Sequence, residues 1–329
     1  MKTVLVTGTS LVPKEARDYI ASRGFKVRYI PKDTFTDSEL TESLAEVSGY
    51  LIGGYEEPSA AHFEAAAHLE AVAWVGTDYK AYVPGWQRAM ELGIAFLNSP
   101  GTNAVSVTEF TVLMMLAMSR PFVSRIAMPG QPPSDLGAPG TDVYQRRLGI
   151  IGLGRIGSRL ARIARCGLEM EVVYCGPQRH EPLEHALGIE YLAKDDLLAT
   201  SDTISLHRPS LAVGEAYELT ERDFARMKNG ALVVNTAHPA LIDAAGLAWA
   251  ISTKGIRAAQ DGLGSGPAWD QLLAFGPDRF LAVPSMAFNT QDANLRASMR
   301  TAEGVCAVLA GGTSPYVNNP DFRVVRTAR

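Results

Sequence analysis

The chain has 329 residues, 47% hydrophobic and 20% charged, with 31 Lys and Arg against 35 Asp and Glu for a net charge of −4. That length exceeds one ordinary core and predicts two domains. An acidic balance without a basic stripe argues against a nucleic-acid partner. The 3 cysteines, Cys166, Cys175 and Cys306, form no CxxC pair and no metal-ligand spacing, so neither a disulfide framework nor a metal site is expected.

The opening MKTVLVTGTS has one early lysine and a short apolar run before Gly8, and reads as a first strand rather than a signal peptide. No apolar run reaches the roughly 18–20 residues that span a bilayer, so a cytoplasmic protein is expected. Strand-length apolar runs follow in TVLVTG (3–8), KVRYI (26–30), GYLIGG (49–54), AVAWVG (71–76) and IAFLN (94–98). Helical stretches such as SAAHFEAAAHLE (59–70) separate them, the alternation of a parallel sheet covered by helices. A long apolar helix over 105–119 leads to a loop rich in proline and glycine at 128–142. A second series then runs LGIIG (148–152), EVVYC (171–175), TISLH (203–207), ALVVN (231–235), IRAAQD (256–261) and FLAVP (280–284). A helix over about 290–311 precedes a polar tail. The fold class expected is α/β, with two doubly wound parallel sheets.

LGIIGLGRIGSRLARIA holds Gly152, Gly154 and Gly157 as GxGxxG between a buried strand and a helix whose first residues are Arg155 and Ile156. The first glycine allows a tight turn, the second a close approach of backbone to a pyrophosphate, and the third close helix–strand packing. The helix N-terminus adds free N–H groups and a positive dipole end. VTGTS at 6–10 has one glycine and reads as a plain strand end. The acid that usually holds the ribose hydroxyls is expected just past Tyr174, where the chain has Cys175; no acid follows until Glu181. Arg179 and His180 occupy that loop, where a cation meets a ribose 2′-phosphate. NADP(H) is therefore favoured, with NAD(H) left open.

On these motifs the chain resembles the D-2-hydroxyacid dehydrogenase family. NSPGTNAVSVTEFTVLMMLAMSR (98–120), SLHRPS (205–210), MKNGALVVNTA (227–237) and AAQDGL (258–263) are similar to the family's own segments. The resemblance implies a discontinuous substrate domain, 1–98 plus 288–329, around a dinucleotide-binding domain, 99–287, with the active site in the cleft between them. It also implies a homodimer acting on a small-molecule substrate. Cofactor contacts fall by resemblance on Thr108, His207, Arg208, Pro209, Thr236, Ala237 and Asp261.

Three reacting positions depart from the family pattern. The carboxylate-clamping arginine is replaced by His238, the acid–base histidine by Ser285, and the glutamate that tunes it by Gly264. Histidine is a single, pH-dependent donor where arginine is a permanently charged fork, and serine has no pKa near neutrality. His238 is left either as acid–base group or as a turn residue before Pro239. LIGGYEE offers Tyr55 and Glu56, and VGTDYKAYV offers Asp78, Tyr79, Lys80 and Tyr82, as substrate-facing groups; Trp86 and Trp269 read as packing. Two functions remain open. One is an oxidoreductase moving a hydride to or from a small carbonyl or alcohol, an imine or a phosphonate-type anion, a weak conventional 2-hydroxyacid dehydrogenase included. The other is an inactive, corepressor-like dinucleotide sensor.

Overall fold

The computed structural model describes residues 1–126, 139–209 and 217–327. Two compact units divide the chain: Met1–Asn103 with Asn289–Arg329, and Ala104–Phe288. Of the expected 128–142 loop, residues 128–138 lie outside the described residues, and 139–142 carry no regular structure.

The first unit is a five-stranded parallel sheet of β1 (Thr3–Thr7), β2 (Lys26–Ile30), β3 (Gly49–Ile52), β4 (Ala71–Trp74) and β5 (Ala95–Leu97), in the order β2-β1-β3-β4-β5. Period-2 alternation divides its side chains between two cores. Val4, Val6, Leu51, Ala71, Ala73 and Leu97 face one core, joined by Ala297, Val305 and Cys306 of the helix Gln291–Leu309. Leu5, Tyr50, Ile52, Val72, Trp74 and Phe96 face the other. Burying each such aliphatic side chain contributes about 1.5–3 kcal/mol.

One expectation changes here. The helix expected over 59–70 spans only Ala60–Ala65: Ala66 leaves helical geometry at ψ 66°, and Leu69 beyond it is buried in the sheet's core. The polar tail is also structured. Val317 bridges Leu97, Asn318 N–H donates to Phe96 O at 2.8 Å, and Asn319 Oδ1 accepts from Phe96 N–H at 2.9 Å. The tail thus covers the open edge of β5, the usual protection for an edge strand.

The second unit is a seven-stranded parallel sheet of β6 (Arg147–Ile151), β7 (Glu171–Cys175), β8 (Glu190–Tyr191), β9 (Thr203–Leu206), β10 (Leu232–Asn235), β11 (Arg257–Asp261) and β12 (Phe280–Val283), in the order β12-β11-β10-β9-β6-β7-β8. The order reverses between β6 and β9, the point where open α/β sheets bind ligands at the carboxyl ends of their strands. β8, a two-residue edge strand, carried no recognisable pattern in the sequence. The helix Ala104–Ser119 lays Met114, Met115 and Met118 against Leu160, Ala161 and Ala164 of the helix Arg155–Gly167. Arg257 Nη1 ties off its end by donating to Met118 O at 2.6 Å. Among the described residues no helix is long and apolar enough to cross a membrane.

Candidate functional site

The switch point is a backbone construction. His207 N–H donates to Ile151 O at 2.8 Å and Gly152 N–H to Cys175 O at 2.9 Å, which ties the ends of β6, β7 and β9 together. Gly152 has φ 98°, and a Cβ on it would stand 2.5 Å from His207 O. A Cβ on Gly157 would collide with the Gly152 carbonyl oxygen. The fold itself therefore demands these two glycines. Gly154 differs: its φ is −80°, open to any residue, and a Cβ there would meet nothing within 4 Å. The protein leaves that space beside a helix N-terminus empty, and the arrangement fits a pyrophosphate. Arg155 and Ile156 open the helix behind it.

The side chains around this turn form two ion-paired sets. Cys175, the last residue of β7, is buried, and its thiol is pushed up to about 11 by burial and then by Glu218, against the opposing pull of Lys194 and Arg208. Arg208 Nη1 pairs with buried Glu218, whose Oε1 is 3.2 Å from Lys194 Nζ. Arg179 instead pairs with Glu184, with Nη2 at 2.7 Å and Nε at 3.0 Å. Glu184 also accepts from Tyr174, whose hydroxyl is pushed up to about 12, chiefly by burial. His207 Nε2 meets Ser205 Oγ at 2.9 Å, while Nδ1 is buried and has no partner among the described residues. Burial lowers its pKa to about 4, so the ring is neutral and structural. Pro209 is exposed beside it.

The ends of β10, β11 and β12 carry the second half of the site. Register pairs Asn235 with Gln260 and Asp261 with Val283, which brings the following turns side by side. Asn235 fixes the first turn: Nδ2 donates to His238 O at 2.8 Å and to Gln260 Oε1 at 3.0 Å, and Oδ1 accepts from Ala237 N–H at 3.0 Å. Thr236 meets Thr111 at 2.7 Å, and Thr108 donates to Ala104 O within its own helix, so Thr111 rather than Thr108 joins this edge. Asp261 Oδ1 accepts from Met286 N–H at 2.7 Å and Oδ2 from Ala287 N–H at 3.2 Å. Burial raises its carboxyl, and these two bonds oppose that. Asp261 thus pins the turn in which Ser285 is held at φ 33°, left-handed and strained for a side chain other than glycine.

His238 is half-buried, and its Nδ1 accepts from Ala240 N–H at 3.2 Å. That bond leaves the proton of the neutral ring on Nε2. Gly264, where the glutamate is missing, has no room for a side chain, and Gly266, two residues on, has. A Cβ at Gly264 would fall inside the Trp269 indole, whereas at Gly266 nothing lies within 4 Å, although φ there is +90°. No carboxylate stands between Asp261 and Asp270 in either register.

In the first unit the candidate loop residues separate. Tyr55 is exposed, while Glu56 turns inward, where its Oε1 accepts from Thr7 and, at 2.8 Å, from Tyr50. Burial raises the Glu56 carboxyl. The Tyr79 ring, partly buried, packs against the core 4.9 Å from Phe96 and 5.5 Å from Trp86, and burial raises its hydroxyl. Lys80 is exposed, with its ammonium 5.3 Å from the Trp86 ring.

Residues 112–287 match the family described as D-isomer specific 2-hydroxyacid dehydrogenase, NAD binding domain. The chain is 30% identical over 321 residues to the D-3-phosphoglycerate dehydrogenase of Mycobacterium leprae, covering 96% of this chain and 59% of that protein. It therefore spans about three-fifths of that relative's length. The glyoxylate reductase of Aeropyrum pernix is 32% identical over 252 residues, covering 72% of this chain and 73% of that one. The crystal structure of the TT0316 protein from Thermus thermophilus superposes with a TM-score of 0.81 at 26% identity, covering 96% and 99% of the two chains. The chain belongs to the D-isomer-specific 2-hydroxyacid dehydrogenase family.

Proposed function

We propose that the protein is a pyridine-nucleotide-dependent oxidoreductase acting on a small carbonyl or alcohol, imine or phosphonate-type substrate, with NADP(H) preferred to NAD(H). The observation that carries this is Gly154, a glycine required by neither its backbone angle nor its protein neighbours, at the mouth of an anion-binding helix. In this reading residues 99–287 hold the dinucleotide, and 1–98 with 288–329 hold the substrate.

Bound nicotinamide supplies or accepts the hydride. Gly152 and Gly157 shape the phosphate turn, and His207, neutral and part-buried, supports it from the end of β9. Thr236 is steadied by Thr111, and Asp261 fixes the Ser285 turn. His238, its ring held through Nδ1 by Ala240 N–H, stands at the turn where the family carries its carboxylate clamp and orients the substrate there. Two substrate chemistries suit such a site: an iminium, which already carries the positive charge that draws hydride, or a carbonyl whose oxygen takes its proton from water. Lys80 and Tyr55, both exposed, remain available to an anionic substrate group. Two further parts of the reading are self-association as a homodimer and a reducing cytoplasmic location. Exposed Leu113, Phe122 and Ile126 support the first, and the three free cysteines the second.

Fluorescence titration with NADPH and NADH tests the reading, using the wild type and Gly154→Val. The valine has room, so an unchanged Tm with binding weakened about a hundredfold or more is expected. Absence of binding by the wild type, or unaltered binding by the variant, overturns the proposal. Hydride transfer to a panel of carbonyl and imine compounds then separates an enzyme from a sensor, which would bind the nucleotide and turn over none of them.

A further inference from the structure

We infer that Arg208, tethered to Glu218 over the first glycine of the phosphate turn, is the cation that recognises a 2′-phosphate on the adenosine ribose, and that Arg179 is not. The inference rests on the nucleotide-binding reading above and adds to it the residue that selects the cofactor.

The place is fixed by β7. Its last residue is where a carboxylate would hold the ribose hydroxyls and repel a phosphate; here it is an uncharged, buried thiol. Which cations stand near that thiol decides what the ribose meets. Arg208 and Lys194 both act on it electrostatically. Arg208 also lies against the turn itself, with its Cγ 3.5 Å from the Cβ position of Gly152, whose N–H bonds to Cys175 O.

The two arginines differ in what their guanidinium groups have left to offer. Arg179 spends Nε and Nη2 on the two oxygens of Glu184, a bidentate pairing that fills one edge of the fork, and Tyr174 steadies the same carboxylate from below. Arg208 has one partner among the described residues, Glu218, reached through Nη1 alone. A guanidinium has five N–H donors, so four are not committed to a described residue, on a side chain that is 44% exposed. Lys194 is less available: it donates to Glu218 O and shares Glu218 at 3.2 Å and Asp223 at 3.4 Å.

Glu218 acts through Arg208. A carboxylate 7% exposed needs paired charge, and by holding Arg208 it restrains a flexible side chain beside the turn before any ligand arrives. Its partner lies ten positions back, so the pair spans the connection after β9 rather than one helix face.

Binding of NADPH and NADH, with competition by 2′,5′-ADP and 5′-ADP, tests this in the wild type, Arg208→Met and Arg179→Met, with Tm reporting the fold. The wild type is expected to prefer NADPH and 2′,5′-ADP. Arg208→Met should weaken both of these about tenfold or more, with NADH and 5′-ADP changed within about threefold. Arg179→Met should keep the preference. Equal losses for both nucleotides in Arg208→Met, no loss at all, or a preference erased by Arg179→Met overturns the assignment. So does a wild type that prefers NADH. A wild type that binds none of the four overturns the nucleotide reading itself.

Discussion

The two halves of the second sheet's carboxyl edge are built on different principles. Around β6, β7 and β9 the work is done by backbone: two glycines the fold cannot replace, one it does not need, and strand ends joined through main-chain bonds. Around β10, β11 and β12 it is done by side chains: Asn235 and Asp261 hold the turns that carry His238 and Ser285. A backbone device resists change because altering it breaks the turn. A turn held from behind by a neighbour's side chain accepts new residues at its tip. In the function proposed above, the first half keeps the family's anion cradle, while the second has exchanged its chemistry on the same scaffold.

The sharpest break in that comparison is Asp261→Ala. It removes both acceptors for Met286 and Ala287 N–H, and leaving a buried donor such as Ala287 N–H unpaired costs about 1–3 kcal/mol. The Tm should fall by several degrees and hydride transfer should be lost. NADPH binding measured below the new Tm should weaken far less than in Gly154→Val; equal loss would mean the two halves are not separable.

Next comes His207, on the backbone-built half. Its folded pKa of about 4 lies below the usual 6.5, so the stability tied to its neutral form is whole above pH 6.5 and is lost as pH falls toward 4. That gap is worth about 3 kcal/mol at most. Denaturant titrations between pH 7 and 4 should show this slope in the wild type and a smaller one in His207→Asn; identical slopes would place the acid sensitivity elsewhere.

The smallest effect is expected from restoring the family residues, His238→Arg with Ser285→His. Activity on glyoxylate or pyruvate should rise by about tenfold, well short of a dedicated dehydrogenase. The new arginine loses the Ala240 N–H bond, and the new histidine inherits a left-handed backbone. Nor is the missing acid restored by one change: Trp269 fills the space at Gly264, and Gly266 has room but a φ of +90°. No gain at all would mean that the pocket, not its chemistry, is closed to 2-oxo acids.

Local features were legible in the sequence. The alternation of the strands and the glycine spacing are each set by residues close together in the chain, and so was the contrast of His238, Ser285 and the missing acid with the family pattern. Partnerships across loops were not. Arg179 looked like the available cation until Glu184 took it, and Arg208 gained its meaning only from Glu218. Tyr79 and Glu56 sat in loops expected to face substrate, yet each turned toward apolar packing or buried hydroxyls. Thr111, one of several polar residues in an otherwise apolar helix, gave no sign of its contact 125 positions away.

The strap of Val317, Asn318 and Asn319 along β5 gives the sequence beyond residue 309 an architectural duty. Trimming back to the end of the helix Gln291–Leu309 would strip a sheet margin of its hydrogen-bond partners and invite a second molecule to dock there by strand pairing. Anyone shortening this protein should expect filaments or precipitate before any loss of chemistry, and an affinity handle belongs after the strap rather than in its place.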